Sequence, residues 1–407
     1  MQRLHSVFGL TTRRPEARHQ PSGLNTRFDD GTLTFADYVS HSRDMLSQAH
    51  SALGTVELKK VVDGNAPFEL KPTADGSSGQ NKAYRRGVLL IHGLTDSPYF
   101  MRHLAAFFQE NGFRVMAILL PGHGTQPGDL LEVRWQEWAK AVAYGVDRLA
   151  EEVDEVYLAG YSAGGTLSIY QSLRDARVRA LFLFSPALKI SSRAAWANLH
   201  KLYSWLIPAG KWLDIKPDRD IYKYESFPKN AAAQMHALTG AVSARLRDPQ
   251  LQGRGLNIPV FAVASADDAT VDISATLEFM ARARHPSSKL VLYTTDSEIF
   301  PLDIPAHKLE LVNSVVREHK ILGSSHTGIV LPADDMHYGA GGTYSNCAHY
   351  YPGDMEKYDA CIKPQELALQ GELIEKNLKA GTLRRLMYNP NFAGLKASMK
   401  RFIESLP

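Results

Sequence analysis

The sequence predicts an α/β protein built on a mostly parallel central sheet flanked by helices. Three observations carry that prediction. Short, continuous apolar runs recur along the chain, as expected of strands buried on both faces of a parallel sheet. They alternate with longer stretches able to form helices with one apolar face. One run, Glu155-Val156-Tyr157-Leu158-Ala159, leads into Gly160-Tyr161-Ser162-Ala163-Gly164, a G-x-S-x-G set between a strand and a helix.

Taken in order, the first ~60 residues are polar and basic at their start, with Arg13, Arg14 and Arg18, and then turn helical through Tyr38, Met45 and Leu46. Gly76–Asn81 is turn-rich. Gly87-Val88-Leu89-Leu90-Ile91 reads as a buried strand ending in His92-Gly93-Leu94-Thr95, where the glycine lets backbone approach a ligand closely. His92 is expected to brace that loop. Phe113–Leu120 is the next strand and runs into Pro121-Gly122-His123-Gly124-Thr125; a helix should open near Trp135-Gln136-Glu137-Trp138. At Gly160–Gly164 the turn is so tight that larger residues at the outer positions would clash. It pushes the Ser162 hydroxyl out where the helix from Thr166 begins.

The order His-Gly-Leu-Thr, Leu-Pro-Gly-His-Gly-Thr, Trp-x-x-Trp, Gly-Tyr-Ser-Ala-Gly resembles the bacterial carboxylesterase and monoacylglycerol-lipase branch of the α/β-hydrolase superfamily. The resemblance covers roughly residues 85–330 and is densest from 87 to 186. It implies an α/β-hydrolase fold with a nucleophile at Ser162, an oxyanion hole from the backbone N–H groups of Leu94 and Ala163, and His123 in a structural loop. A serine is a poor nucleophile at its own pKa, so a histidine base and a carboxylate are required, in the chain order serine, acid, histidine.

The strand Ile258–Val263 precedes Ala264-Ser265-Ala266-Asp267-Asp268-Ala269-Thr270-Val271-Asp272. Members of the superfamily branch place the acid three residues before a valine here, which selects Asp268; Asp267 is the alternative acid. Asp272 suits the cap of the helix from Ile273. For the base, Gly323-Ser324-Ser325-His326-Thr327-Gly328 resembles the branch's Ser-x-His loop, and His285, His307, His319 and His337 lack that setting. The stretch from acid to histidine is about twice the length one helix and one strand need. Lys289–Thr294 and Leu309–Val316 therefore imply an inserted hairpin or an extra edge strand.

Residues 187–257 leave the sheet pattern, become aromatic-rich and read as helical, the usual place of a cap over the site. Trp196, Trp205 and Trp212 are its candidates for lining an acyl pocket. The tail carries a glycine-rich loop at Tyr338–Tyr344 without a following Lys-Ser/Thr, so it is no phosphate loop. Two helical stretches follow, near Glu366–Lys379 and Leu395–Glu404. The expected divisions are an N-terminal extension (1–60), a hydrolase core (61–186 and 258–333), the cap (187–257) and a C-terminal extension packing on the core (334–407).

With 46 basic and 43 acidic residues, nothing in the charge points to nucleic acid. No apolar run approaches ~18 residues and the start lacks a hydrophobic signal core, which reads as cytoplasmic. The two cysteines, Cys347 and Cys361, leave two states open. Free thiols fit the cytoplasm, whereas a disulfide implies a periplasmic or secreted protein whose leader is missing from this chain. Their spacing with His349 matches no zinc site.

The sequence thus leads to the expectation of a serine hydrolase acting on a small, lipid-like carboxylic ester with an apolar acyl chain, without metal or organic cofactor. The same parts serve peptidases, thioesterases and acyltransferases, and some such folds only bind ligands.

Overall fold

A computed structural model describes residues 15–73, 82–189, 208–248, 257–296, 304–363 and 368–406. The chain forms two compact units, Met1–Val156 with Ile190–Ala244, and Tyr157–Lys189 with Arg245–Pro407. It has the α/β-hydrolase fold: a mostly parallel eight-stranded sheet flanked by helices.

The first unit contains β1 (Phe68–Leu70), β2 (Tyr84–Ile91), β3 (Phe113–Ile118) and the start of β4 (Val153–Tyr161). The β2 run from Val88 to Ile91 is fully buried, as its unbroken apolar pattern requires. It pairs in parallel with β3, Val88 opposite Val115 and Ile91 opposite Ile118. β1 lies antiparallel on the far side of β3. It is too short to stand out as an apolar run in the sequence. Helix Trp135–Glu152 packs closely on β2 because Gly87 has no side chain: a Cβ there would come within 2.7 Å of both Leu149 and Val153.

The described part of the 187–257 segment departs from the helical expectation. β6 (Trp212–Asp214) and β7 (Phe227–Pro228) pair antiparallel ahead of the helix Lys229–Arg247. Asp218 makes the reversal possible. It adopts a positive φ of 49°, and its carboxylate accepts the N–H groups of Glu225 and Ser226 at 2.9 and 2.8 Å.

The second unit takes up β4 and adds β5 (Val178–Phe184), β8 (Val260–Ser265), β9 (Lys289–Thr294) and β10 (Leu309–Asn313), and the sheet order is β1-β3-β2-β4-β5-β8-β9-β10. The last three pairings are parallel. β10 is the extra edge strand implied by the long acid-to-histidine stretch. The C-terminal helix Phe392–Glu404 buries Phe392, Leu395, Met399 and Phe402, spaced three and four residues apart along one face. Its Phe402 ring lies 5.2 Å from Phe182 and 5.4 Å from Phe261.

The tail corrects a second expectation. Instead of one helix over 366–379 there is β11 (Leu369–Gly371), pairing in parallel with β12 (Leu383–Arg385), and a short helix Glu375–Ala380. The main chain of Gln370 is occupied on both sides: its N–H reaches Lys320 O at 3.0 Å and its carbonyl accepts Leu322 N–H at 2.8 Å. Cys347 and Cys361 form a disulfide. Among the described residues, no helix is long and apolar enough to cross a membrane.

Candidate active site

Ser162 stands where β4 turns into the helix Ala163–Ser172, with φ 53° and ψ −113°. A non-glycine residue holds such a conformation only when its surroundings over-determine it, at a cost of about 1–3 kcal/mol. Those surroundings are present. Ser162 N–H donates to Phe184 O at 2.9 Å, and its carbonyl accepts the N–H groups of Gly165 and Ala187 at 3.0 and 3.1 Å. Gly160 is obligatory, since a Cβ would sit 2.2 Å from Gly164 O. Ala163 is the first helical residue, so its N–H is among those without an intrahelical acceptor.

The acid loop follows β8. Asp268 Oδ1 accepts the N–H groups of Thr270 and Val271 at 2.8 and 3.0 Å, which turns Oδ2 towards His326. Oδ2 lies 2.6 Å from His326 Nδ1, and His326 Nε2 lies 3.0 Å from Ser162 Oγ. One continuous hydrogen-bond chain therefore joins the three residues, and all three belong to the second unit. Burial pushes the Asp268 carboxyl up, but attraction to His326 and the hydrogen bonds from His326, Val271 and Thr270 outweigh it and hold the group below its usual value.

Asp267, one residue earlier, meets none of these partners. Its Oδ2 is buried without a hydrogen bond among the described residues, facing Gly323, where a Cβ would approach to 2.6 Å. Burial raises its pKa. Asp272 accepts Ser274 N–H and caps the helix Ile273–Arg282.

Around His326 stand residues to which the motifs give no role. Tyr161 OH donates to His326 O at 3.2 Å. Glu372, fully buried in the tail, accepts the His326 main-chain N–H at 2.8 Å. Arg385 pairs with Glu372 (Nε to Oε1, 2.8 Å) and also donates to Thr270 Oγ1 at 2.6 Å. Leu386 O accepts hydrogen bonds from the hydroxyls of Ser325 and Thr327. Tyr161 was already inside a conspicuous motif, but an isolated Glu and an Arg-Arg pair far down the chain carry no local signal of their use.

The remaining expected residues divide. Leu94 lies half-buried in the turn after β2, in the first unit. There the next residue, Thr95, takes a φ of 68°, and the turn is held from the 187–257 segment: Tyr224 N–H donates to Thr95 O at 2.8 Å, and Lys223 pairs with Asp96. His92 braces this region as expected. Its Nδ1–H donates to Gly93 O at 2.8 Å and its Nε2 accepts Leu120 N–H at 3.1 Å. His123 Nδ1–H donates to Pro121 O at 3.0 Å, the same carbonyl that accepts from Trp138 Nε1 at 2.9 Å. Trp196 and Trp205 fall outside the described residues. Trp212 is buried in the first unit, 5.1 Å edge-on from the His19 ring.

Comparison with known proteins agrees with the motif order. The chain is similar to the thermostable monoacylglycerol lipase of Bacillus sp. (strain H-257), 30% identical over 162 residues, or 39% of this chain and 64% of that one. It is similar to a carboxylesterase of Bacillus subtilis (strain 168), 32% identical over 85 residues, or 21% and 35%. The match thus spans less than two thirds of either relative's own length. A solved structure described under "LipS and LipT, two metagenome-derived lipolytic enzymes" aligns with a TM-score of 0.45 at 23% identity, covering 56% of this chain and 87% of that one. The family model described as serine aminopeptidase, S33, matches residues 82–295, just over half of the chain. The chain belongs to the serine aminopeptidase S33 family of hydrolases.

Proposed function

We propose that this chain is a serine hydrolase that cleaves carboxylic esters with an apolar acyl group. The observation that carries the reading is the unbroken chain from Asp268 through both ring nitrogens of His326 to Ser162, at 2.6 and 3.0 Å. Ser162 Oγ attacks the ester carbonyl while His326 Nε2 takes its proton, then passes that proton to the departing alkoxide. Asp268 fixes the ring's orientation and stabilises the imidazolium. The carbonyl oxygen becomes an alkoxide, which the N–H of Ala163 and that of Leu94, assigned by the sequence motif, receive. Water, deprotonated by His326, then attacks the acyl-enzyme, releases the carboxylic acid and returns Ser162.

The name of the monoacylglycerol lipase relative supports a lipid-like ester as substrate, and that of the carboxylesterase supports ester cleavage. The family description supports amide cleavage as the second reading. A panel of p-nitrophenyl esters of graded chain length, thioesters and aminoacyl amides separates them. Ester turnover rising with acyl length is expected, and turnover confined to the amides would overturn the ester reading. The Cys347–Cys361 disulfide supports an oxidising compartment. Recovery of the native protein with both cysteines free would count against that location.

A further inference from the structure

The family match ends at residue 295, before the histidine that completes the hydrogen-bond chain. What seats that histidine comes from further along, in the C-terminal extension. The segment 320–328 makes a succession of contacts with 370–388: Gln370 N–H to Lys320 O, Leu322 N–H to Gln370 O, and Ser325 and Thr327 hydroxyls to Leu386 O. Gly328 approaches so closely that a Cβ would lie 2.7 Å from Tyr388 O. Within this seam one ion pair touches both catalytic loops. Glu372 takes the main-chain N–H of His326 itself. Arg385, whose Nη2 donates to Glu372 Oε2 at 3.0 Å while Nε lies 2.8 Å from Oε1 as an ion-pair contact, also donates from Nη2 to Thr270 Oγ1, two residues past Asp268.

The arrangement has a physical logic. Thr270 N–H is one of the two donors that aim Asp268, so Arg385 holds the acid loop at that residue. A main-chain N–H in a buried loop must find an acceptor, and a carboxylate makes a stronger bond than a carbonyl would. The carboxylate needs a cation to be tolerated there, and Arg385 supplies it, its Nη2 group carrying two N–H donors, one for Glu372 Oε2 and one for Thr270 Oγ1. We infer that Glu372 and Arg385 are positioning residues of this hydrolase, a clamp that fixes the spacing of Asp268 and His326 by tying their two loops to one ion pair.

The inference rests on the serine-hydrolase reading, so its test uses a readout that needs only an activated serine. In the full-length protein, Glu372→Gln, Arg385→Lys, Arg385→Met and Thr270→Val are compared with wild type. The measurements are thermal melting, the rate at which a fluorophosphonate labels Ser162, and kcat and KM on a p-nitrophenyl ester. A displacement of about 1 Å in such a constellation costs on the order of a hundredfold. Glu372→Gln and Arg385→Met are therefore expected to slow labelling and kcat by about 10- to 100-fold while leaving KM in place.

Arg385→Lys, which keeps the charge but not the guanidinium, should fall between Arg385→Met and wild type. Thr270→Val removes an exposed hydroxyl, threatens folding least, and should lower kcat severalfold. Should the buried variants fail to fold, Thr270→Val decides. Folded variants with wild-type labelling and kcat would overturn the clamp, as would losses that appear in KM alone. A wild-type protein labelled at Ser162 but inert on every ester would remove the substrate reading and leave the clamp testable by labelling. A wild type that neither labels nor turns over would remove both.

Discussion

His326 in the second unit and the pair His92 and His123 in the first are all buried, at 3%, 0% and 0% exposure, yet they are equipped for different ends. The His92 nitrogens are both engaged by main chain, one donating to Gly93 O and one accepting from Leu120 N–H. His123 donates to Pro121 O, and its Nε2 has no hydrogen-bond partner among the described residues. Burial drives both rings' pKa values down, for His123 to about 4, so each stays neutral. His326 instead has a carboxylate on one nitrogen and a hydroxyl on the other. Burial alone therefore marks a histidine that packs. A carboxylate aligned with a second, reactive partner marks one that can move a proton.

The most severe break removes the reactive partner or the ring. Ser162→Ala and His326→Ala should each fold and lose about a millionfold in kcat, by analogy with other serine triads. Fluorophosphonate labelling should vanish in the first. Labelling that persists in Ser162→Ala would place the nucleophile elsewhere.

Removing the carboxylate is the next largest effect. Asp268→Asn should lower kcat about ten-thousand-fold by leaving the ring in the wrong tautomer. Asp267→Asn, one residue away but off the ring, should leave the rate unchanged. Equal activities for the two would break the comparison at its acid. Asp268 also has a signature in stability. Its folded pKa is depressed, so its contribution is complete above the ordinary carboxylate value of 3.8 and is lost as the pH falls through the lower folded value. Chemical denaturation of wild type and Asp268→Asn between pH 3 and 7 should show the two curves converging in acid.

The packed histidines give a smaller effect, and it appears in stability rather than rate. Their folded pKa values lie below that of a free imidazole, so the unfolded chain binds protons first as the solution is acidified. Stability is complete above about pH 6.5 and falls towards pH 4, by on the order of 3 kcal/mol for His123. His123→Gln should flatten that slope and leave labelling of Ser162 intact. A slope unchanged by the substitution would show that other groups control the acid limb.

The smallest expected effect comes from the neighbouring acid, with the opposite sign. Burial raises the Asp267 pKa, so its charge costs stability at neutral pH and the cost disappears on acidification. Asp267→Asn should therefore melt slightly higher than wild type at pH 7 and no higher at pH 4. A lower melting point at pH 7 would mean that Gly323 and its neighbours need the charge.

How much of this was legible in the sequence follows from the range of the interactions. β2, β3, β4 and β8 announced themselves because a strand buried on both faces must be apolar throughout, a constraint visible within six residues. The elbow was legible because Gly160 is demanded by an atom only four residues away. Asp268 rather than Asp267 came from the resemblance, whose members place the acid three residues before a valine; in the structure Val271 N–H is one of the two donors to Asp268 Oδ1. The β6–β7 pair and β11 were missed because what fixes them is remote in sequence: Leu322 and Lys320 for Gln370, and His19, 3.2 Å from Asp218, for the turn between β6 and β7. Glu372 and Arg385 are the clearest case. Their partners lie 46 and 115 residues upstream, and no local pattern records that.

That separation also sets a timetable. A ribosome making this chain produces Ser162 first, then Asp268, then His326, and only later the glutamate and arginine that hold the last two in place. At roughly 5–20 residues per second, several seconds pass between His326 and Arg385. During that interval the elbow can already be formed, because Phe184, Gly165 and Ala187, which hold it, have been made. The histidine loop, by contrast, still lacks the acceptor for its main-chain N–H. On the proposed reading, the growing polypeptide would carry its serine before its base is seated, and that seating would wait for Glu372 and Arg385 to be made.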